Sequence, residues 1–413
     1  KETISMEQPT FRVYRYRWVV LLVFMLSVAV NQLLWITFAP ITSAATAFYQ
    51  VSDLSIGLLS MSFMIVYIFL SIPASWVIDT YGIRTAVGLG TVLTGGFGLV
   101  RGLTAASYSM VLVSQIGIAI GQPFILNSVT KVAARWFPME ERATASGFGS
   151  LAIYVGILLG LLLTPFLTLR SGIPSTLTTY GIVAAIVAVA FLALSRERPP
   201  TPPCPPEQEE RSLMLDGLRD LFRKRDFVIL LIVFFVGLGV FNAVTTWVED
   251  IVRPRGFSIT QAGVIGGVLI IGGVLGALVV PMLSDRARRR VPYILGALVG
   301  AIVGLLGVTF ATGYALLLAS AALLGFCLLS AGPIGFQYGA EIGYPAPEGT
   351  SNGLLLQMGQ ISGILFIFAM DALKDPADGA MTIPLVALAV LLLLSLVVAR
   401  GLRESSLIRA PGA

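Results

Sequence analysis

Twelve runs of about twenty apolar residues, each bounded by charges or turn residues, leave this chain little choice of surroundings. They fall at approximately 18–40, 55–78, 85–104, 108–134, 143–168, 175–195, 227–248, 260–283, 291–311, 314–340, 350–372 and 381–399. A helix of that length crosses a hydrocarbon core of roughly 30 Å and satisfies its own backbone inside lipid. With 56% apolar and 12% charged residues, the chain lies outside the soluble range. The expectation is an all-α membrane protein with twelve transmembrane helices.

An even number of crossings places both termini on one side, and basic residues choose which. Taking the termini as cytoplasmic, the inner segments hold 22 of the 27 Lys and Arg, leaving Arg101, Arg170, Arg253, Arg255 and Lys374 outside. Both termini are therefore expected in the cytoplasm. The net charge of +5 follows from this topology and is no sign of nucleic-acid binding, although Arg223, Lys224 and Arg225 suit contact with anionic headgroups. Cys204 and Cys327 lie on the wrong sides for a bridge, so no disulfide framework is expected. The first run is too long for a signal-peptide core and reads as a true span.

Residues 196–226, proline-rich and then charged, divide the chain into an N-terminal six-helix bundle (1–195), a linker (196–226) and a C-terminal six-helix bundle (227–413). The halves repeat. Asp79 and Asp285 stand 206 residues apart, while Glu141 and Glu348, and Gly156 and Gly363, stand 207 apart. Gly156 and Gly160, one turn apart, would let their helix pack closely and slide.

This layout resembles the major facilitator superfamily over essentially the whole chain. The resemblance implies two pseudo-symmetric bundles, a solute site near the midplane between them, and alternating access by rocking. The loops IDTYGIRTA and SDRARRRVP resemble the superfamily signature between helices 2 and 3, with Ser75 and Pro281 where its first glycine is usual and no second-copy equivalent of Gly82. Asp79 with Arg84, Asp285 with Arg286, and Glu141 and Glu348 are the expected latch of the cytoplasmic face.

Absences narrow the mechanism. There is no histidine, and no Asp, Glu, Lys or Arg falls near the middle of a predicted span. A proton relay needs an ionisable group in the core, so a gradient-independent facilitator is favoured over a proton symporter, and the missing buried cation argues against an organic anion as solute. No phosphate-binding loop, His/Cys metal cluster or histidine-based triad is present, so no enzyme activity, metal or cofactor is expected.

Polar and aromatic residues inside the spans then carry the site. In NQLLWITFAP, Asn31, Trp35 and Phe38 are spaced to share one helix face, which should look into the bundle because an amide against lipid is costly. A place in the outer aromatic belt is the alternative for Trp35. Helix 2 adds Phe63, Met64 and Tyr67, helix 4 adds Gln115 and Gln122, helix 7 Asn242 and Thr245, helix 10 Gln337 and Tyr338, and helix 11 Gln357 and Gln360. Interhelical hydrogen bonding is the alternative role for the glutamines. A neutral pocket of indole, thioether and amides suits a small organic cation, whose charge can sit over the Trp face without a carboxylate partner.

The blocks YRWVVLLVFMLS, NQLLWITF, LSMSFMIVYI, GQPFILNSVTKVAARWF and GFQYGAEIGYPAPEGTSNGLLLQMGQISGILF are similar to the feline leukaemia virus subgroup C receptor-related transporters. That resemblance implies facilitative carriage of choline and ethanolamine, with haem an earlier assignment and pyridoxine linked to one branch. It also implies that Trp35 cradles the cation, with Met64, Gln122 and Gln360 at the matching helix 2, 4 and 11 positions. Asn242 stands where the choline carriers place a tyrosine on helix 7, and Phe63 replaces another on helix 2, so a more polar solute is also compatible. The expected partners are a small-molecule solute and the bilayer, for a monomeric chain. The rival readings are a proton-coupled carrier or exporter of another metabolite, a haem exporter, and a receptor that binds without transport.

Overall fold

The computed structural model describes residues 12–201, 218–344 and 348–405, and among these every regular element is a helix. Ten helical segments cross once each. An eleventh, α7 (Met139–Leu194), spans the region expected to hold two crossings. Gly172 interrupts α7 with φ at 79°, a left-handed turn that glycine adopts without steric cost, and Pro174 follows two residues on. The crossings expected at 143–168 and 175–195 are therefore two helices that fold back on each other at Gly172, with Thr164 bonding Tyr180 at 2.9 Å across the pair, and the total is twelve.

The first crossing differs from its expected span. α1 (Arg17–Ile36) gives way to a 3-10 turn at Ala39–Ile41 and then to α2 (Thr42–Tyr49), so the span runs to Tyr49 and not to residue 40. Pro40 supplies the reason, because it has no N–H to offer the carbonyl of Ile36. The first bundle continues with α3 (Asp53–Tyr81), α4 (Ile83–Leu103), α5 (Tyr108–Leu126) and its short extension α6 (Val129–Trp136). After α8 (Leu218–Arg223), the second bundle comprises α9 (Arg225–Thr246), the short α10 (Val248–Val252), α11 (Ile259–Ala287), α12 (Val291–Phe310), α13 (Tyr314–Gly343), α14 (Glu348–Ala372) and α15 (Thr382–Ala399).

The repeat is visible in the packing. α1 lies against α7 as α9 lies against α14, α3 against α5 as α11 against α13, and α4 against α7 as α12 against α15. Gly156 and Gly160 make the first of these contacts possible, since a Cβ at either would meet Ala29 O or the Ile36 side chain of α1. Ser52 and Ser258, 206 residues apart, both cap the second crossing of their bundle by accepting a backbone N–H three residues on. The bundles meet along two related seams, α3 with α14 and α7 with α11.

The first and last described residues lie on one face, termed the terminal face: Tyr14 bonds Thr201 at 2.8 Å, and Glu404 accepts from the N–H of Arg290 at 2.9 Å. The opposite side is the far face. Cys327 is buried and unpaired, while Cys204 lies outside the described residues.

Candidate functional site

The break in the first crossing fixes the centre of the molecule. Because the span reaches Tyr49, Trp35 sits near its midpoint and not at the aromatic belt. The indole is buried, and its Nε1 donates to the carbonyl of Ser60 on α3 at 3.1 Å. The neighbouring carbonyl of Leu34 accepts from Arg101 Nη1 at 3.1 Å and from Gln115 Nε2 at 3.2 Å, and Arg101 also donates to Gln115 Oε1 at 2.8 Å.

Arg101 corrects the expectation that the protein buries no cation, and with it the ground for setting an organic anion aside. It stands near a helix end, yet it is completely buried, with its guanidinium 5.9 Å from the Phe38 ring centroid and its Nε and Nη2 unpaired. The end of α4 is covered by the helix-1 turn, so the end of a span is not the edge of the protein. Gln115 is thereby committed to holding helix 1.

The other expected pocket residues separate into two groups. Met64, Asn242 and Gly363 converge on the α3/α14 seam, where a Cβ added at Gly363 would lie 2.8 Å from Met64 Sδ and 3.0 Å from Asn242 Nδ2. Asn242 also donates to Gly359 O at 3.1 Å. Gln360 lies one turn before Gly363, and Gln122 lies one turn beyond Ile118 and Ala119, which share an apolar cluster with Trp35 and Met64. Among the described residues neither amide has a hydrogen-bond partner; Gln122 is buried and Gln360 half-buried.

Asn31 departs from this group. It is wholly buried and donates to Thr94 Oγ1 at 3.1 Å, between α1 and α4, so its amide is taken up in holding those helices together. Phe63 is likewise buried in the apolar core. Gln357 donates across the seam to Ile68 O at 3.3 Å, Gln337 donates to Glu341 at 3.1 Å, and Tyr67 donates to Asn127 at 2.7 Å.

On the terminal face, the expected latch residues bond within their own bundles. Asp79 pairs with Lys131, and Glu141 takes both Arg17 Nε at 3.0 Å and Nη2 at 3.2 Å. Arg84 offers its backbone N–H to Glu197 at 2.7 Å, and Arg135 pairs with the same carboxylate. Asp285 pairs with Arg290, whereas Arg286 is exposed; the second copy uses the basic residue 206 positions after Arg84. The Glu348 side chain lies outside the described residues.

Two residues missed in the sequence complete this pattern. Glu197 accepts from the first N–H groups of α4 and Glu404 from those at the start of α12, where helix dipoles favour a carboxylate. They stand 207 apart in matching Arg-Glu pairs, so the repeat offset already in hand would have found them.

The far face is held differently. Asp53, at the start of α3, pairs with Arg253 Nη2 at 3.1 Å and with Lys374, both from the second bundle. Behind them Asp250 is sealed from solvent, 2.9 Å from Arg253 and 3.9 Å from Lys374. Glu249, also buried, accepts from the Ser43 N–H of the first bundle at 2.7 Å. Burial raises the carboxyl of Glu249 above its ordinary range and pushes Asp250 up to about 7, against the opposing pull of Arg253. Trp247 closes the layer below, packed on Gly57 with its indole N–H on Ile367 O at 3.2 Å.

A family model described as Major Facilitator Superfamily matches residues 20–367. Solute carrier family 49 member A3 of Xenopus tropicalis is 32% identical over 386 residues, covering 89% of this chain and 80% of that protein. The choline/ethanolamine transporter FLVCR1 of Felis catus is 30% identical over 387 residues, covering 86% and 68%. In solved structures the fold is shared with a bacterial homolog of the human lysosomal transporter Spinster, inward-facing and unoccupied, at a TM-score of 0.76 and 19% identity over 97% of this chain and all of that one. The nucleoside transporter NupG gives 0.71 at 14% identity, covering 94% of this chain and 98% of that one.

Proposed function

The chain belongs to the major facilitator superfamily and to its feline leukaemia virus subgroup C receptor-related family, and from that premise we propose that it carries a small cationic or polar organic solute by alternating access. It does so without a driving ion gradient and without chemistry on the solute. The N-terminal bundle (1–195) and the C-terminal bundle (227–413) rock about the linker, with the terminal face in the cytoplasm, as the asymmetry of basic residues favours.

The observation that carries this reading is the set of groups at the seam: a tryptophan at mid-span, a thioether and an amide meeting at Gly363, and two glutamine amides with no protein partner. Trp35 supplies the stacking or cation–π wall, Gln122 and Gln360 orient the solute from opposite bundles, and Met64 adapts to its shape. A quaternary ammonium fits such a pocket without a carboxylate. Asn242 adds a polar wall, which extends the solute class toward ethanolamine-like molecules.

Uptake of labelled choline and ethanolamine into proteoliposomes, with and without imposed proton or sodium gradients, tests the proposal. Saturable uptake independent of both gradients is expected. Tight binding of either solute with no flux would replace the transporter by a receptor.

A further inference from the structure

The far face holds more carboxylates than its cations can serve. Asp53 and Asp250 share Arg253 and Lys374, Glu249 precedes Asp250 with its carboxylate on the Ser43 N–H, and Asp371, three residues before Lys374, adds a fourth acid nearby. Arg253 Nη2 donates to Asp53, and Lys374 donates to the same carboxylate. Asp250 is within ion-pair distance of Arg253, yet neither of its oxygens receives a hydrogen bond, and its side chain has no accessible surface.

The other elements packed against α10 offer no relief. The near end of α9, the start of α11 and the 3-10 turn at Ala39–Ile41 bring no titratable group to it. α2 brings only Tyr49, whose hydroxyl donates to Ala105 O at 2.8 Å. Arg255 is occupied by the carbonyls of Ile251, Val308 and Ala311. A buried carboxylate in that position is either charged beside Arg253 without a hydrogen bond, an unfavourable state, or protonated. A metal cation would be repelled by the guanidinium and ammonium beside it, whereas a proton needs neither coordination space nor more ligands.

We propose that Asp250 binds a proton while the far face is closed and releases it to the far side when that face opens. Opening carries Asp53 away with the first bundle, while Arg253 and Lys374 stay with Asp250 in the second. The two cations then turn wholly to Asp250, whose charged form becomes favoured and whose proton leaves. Closure reverses the exchange, so Asp53 and Asp250 compete for the same pair of cations. Asp53, Lys374 and Arg253 retain 19%, 16% and 33% side-chain exposure, so solvent reaches the groups around Asp250.

The proton therefore enters and leaves on one side, which sets the open population of the far face without coupling solute flux to a proton gradient. The raised titration of Asp250 gives the sign: acid on the far side favours the closed state, and that effect is lost as the pH rises through about 7. This inference rests on the transport reading only in requiring that the far face open.

Spin labels at Phe48→Cys and Thr260→Cys, exposed far-face positions in opposite bundles, report that opening as a longer distance without any solute. The measurement uses the full chain in nanodiscs with Cys204 and Cys327 replaced. The open population should rise about tenfold between about pH 6 and about pH 8. Asp250→Asn, a neutral stand-in for the protonated acid, should stay closed at both, and Asp250→Glu should keep the dependence. An open population that ignores pH in the unmodified gate, or a dependence that survives undiminished in Asp250→Asn, would overturn the proposal. Because no solute is present, either result stands apart from the failure of any solute assignment.

Discussion

The two faces of the molecule use the same chemistry to opposite ends. On the terminal face Arg17–Glu141, Lys131–Asp79 and Arg290–Asp285 each join residues of one bundle, and Arg135–Glu197 ties the first bundle to the start of the linker. On the far face Asp53 reaches across to Arg253 and Lys374, and Ser43 reaches across to Glu249. Pairs within a bundle stiffen a body that moves as a unit, whereas pairs between bundles must break for it to move. The latch that the sequence motifs suggested for the terminal face therefore has its cross-bundle counterpart at the far face.

That contrast is tested most severely where both faces meet the solute. Trp35→Ala should lower uptake at least a hundredfold, through loss of the stacking wall, and leave the far-face distance distribution unchanged. Uptake at the unmodified rate would remove Trp35 from the pocket; a shifted distance distribution would make it part of the gate. Next in size, Asp53→Asn should favour far-face opening by about 2 kcal/mol, or ~30-fold in the spin-label populations.

Asn242→Tyr should tighten choline binding about fivefold in competition assays by restoring an aromatic wall, with both faces unaffected. Smallest of all, Arg17→Ala should change uptake by less than about twofold and lower the melting temperature by a few degrees at most, because a partly exposed pair within one bundle contributes under about 1 kcal/mol. An effect on opening as large as that of Asp53→Asn would erase the distinction between the faces.

Much of this was legible in the chain. Apolar runs gave the crossings, and Asp79, Glu141 and Gly156 with their mates gave the repeat, because both properties are local or periodic. The break in helix 1 was not, since hydropathy falls at Thr42–Thr46 whether a span ends there or turns and continues. Arg101 read as a helix-end residue because burial by another helix's turn leaves no mark on its own helix. Asp53, Arg253 and Lys374 lie 200 and 321 positions apart, and only the folded seam relates them. For the proposed pocket, residue types pointed to Trp35, Met64, Gln122 and Gln360, but type alone did not separate them from Asn31 and Gln115, whose amides are occupied by Thr94 and Arg101.

The account stands on the far face being a gate. Its most direct test is a reversible bridge between Asp53→Cys and Lys374→Cys, made with a short disulfide-forming linker in proteoliposomes that take up a transported solute. Uptake should stop when the bridge forms and return when it is reduced. Uptake that continues with the bridge intact would contradict the account.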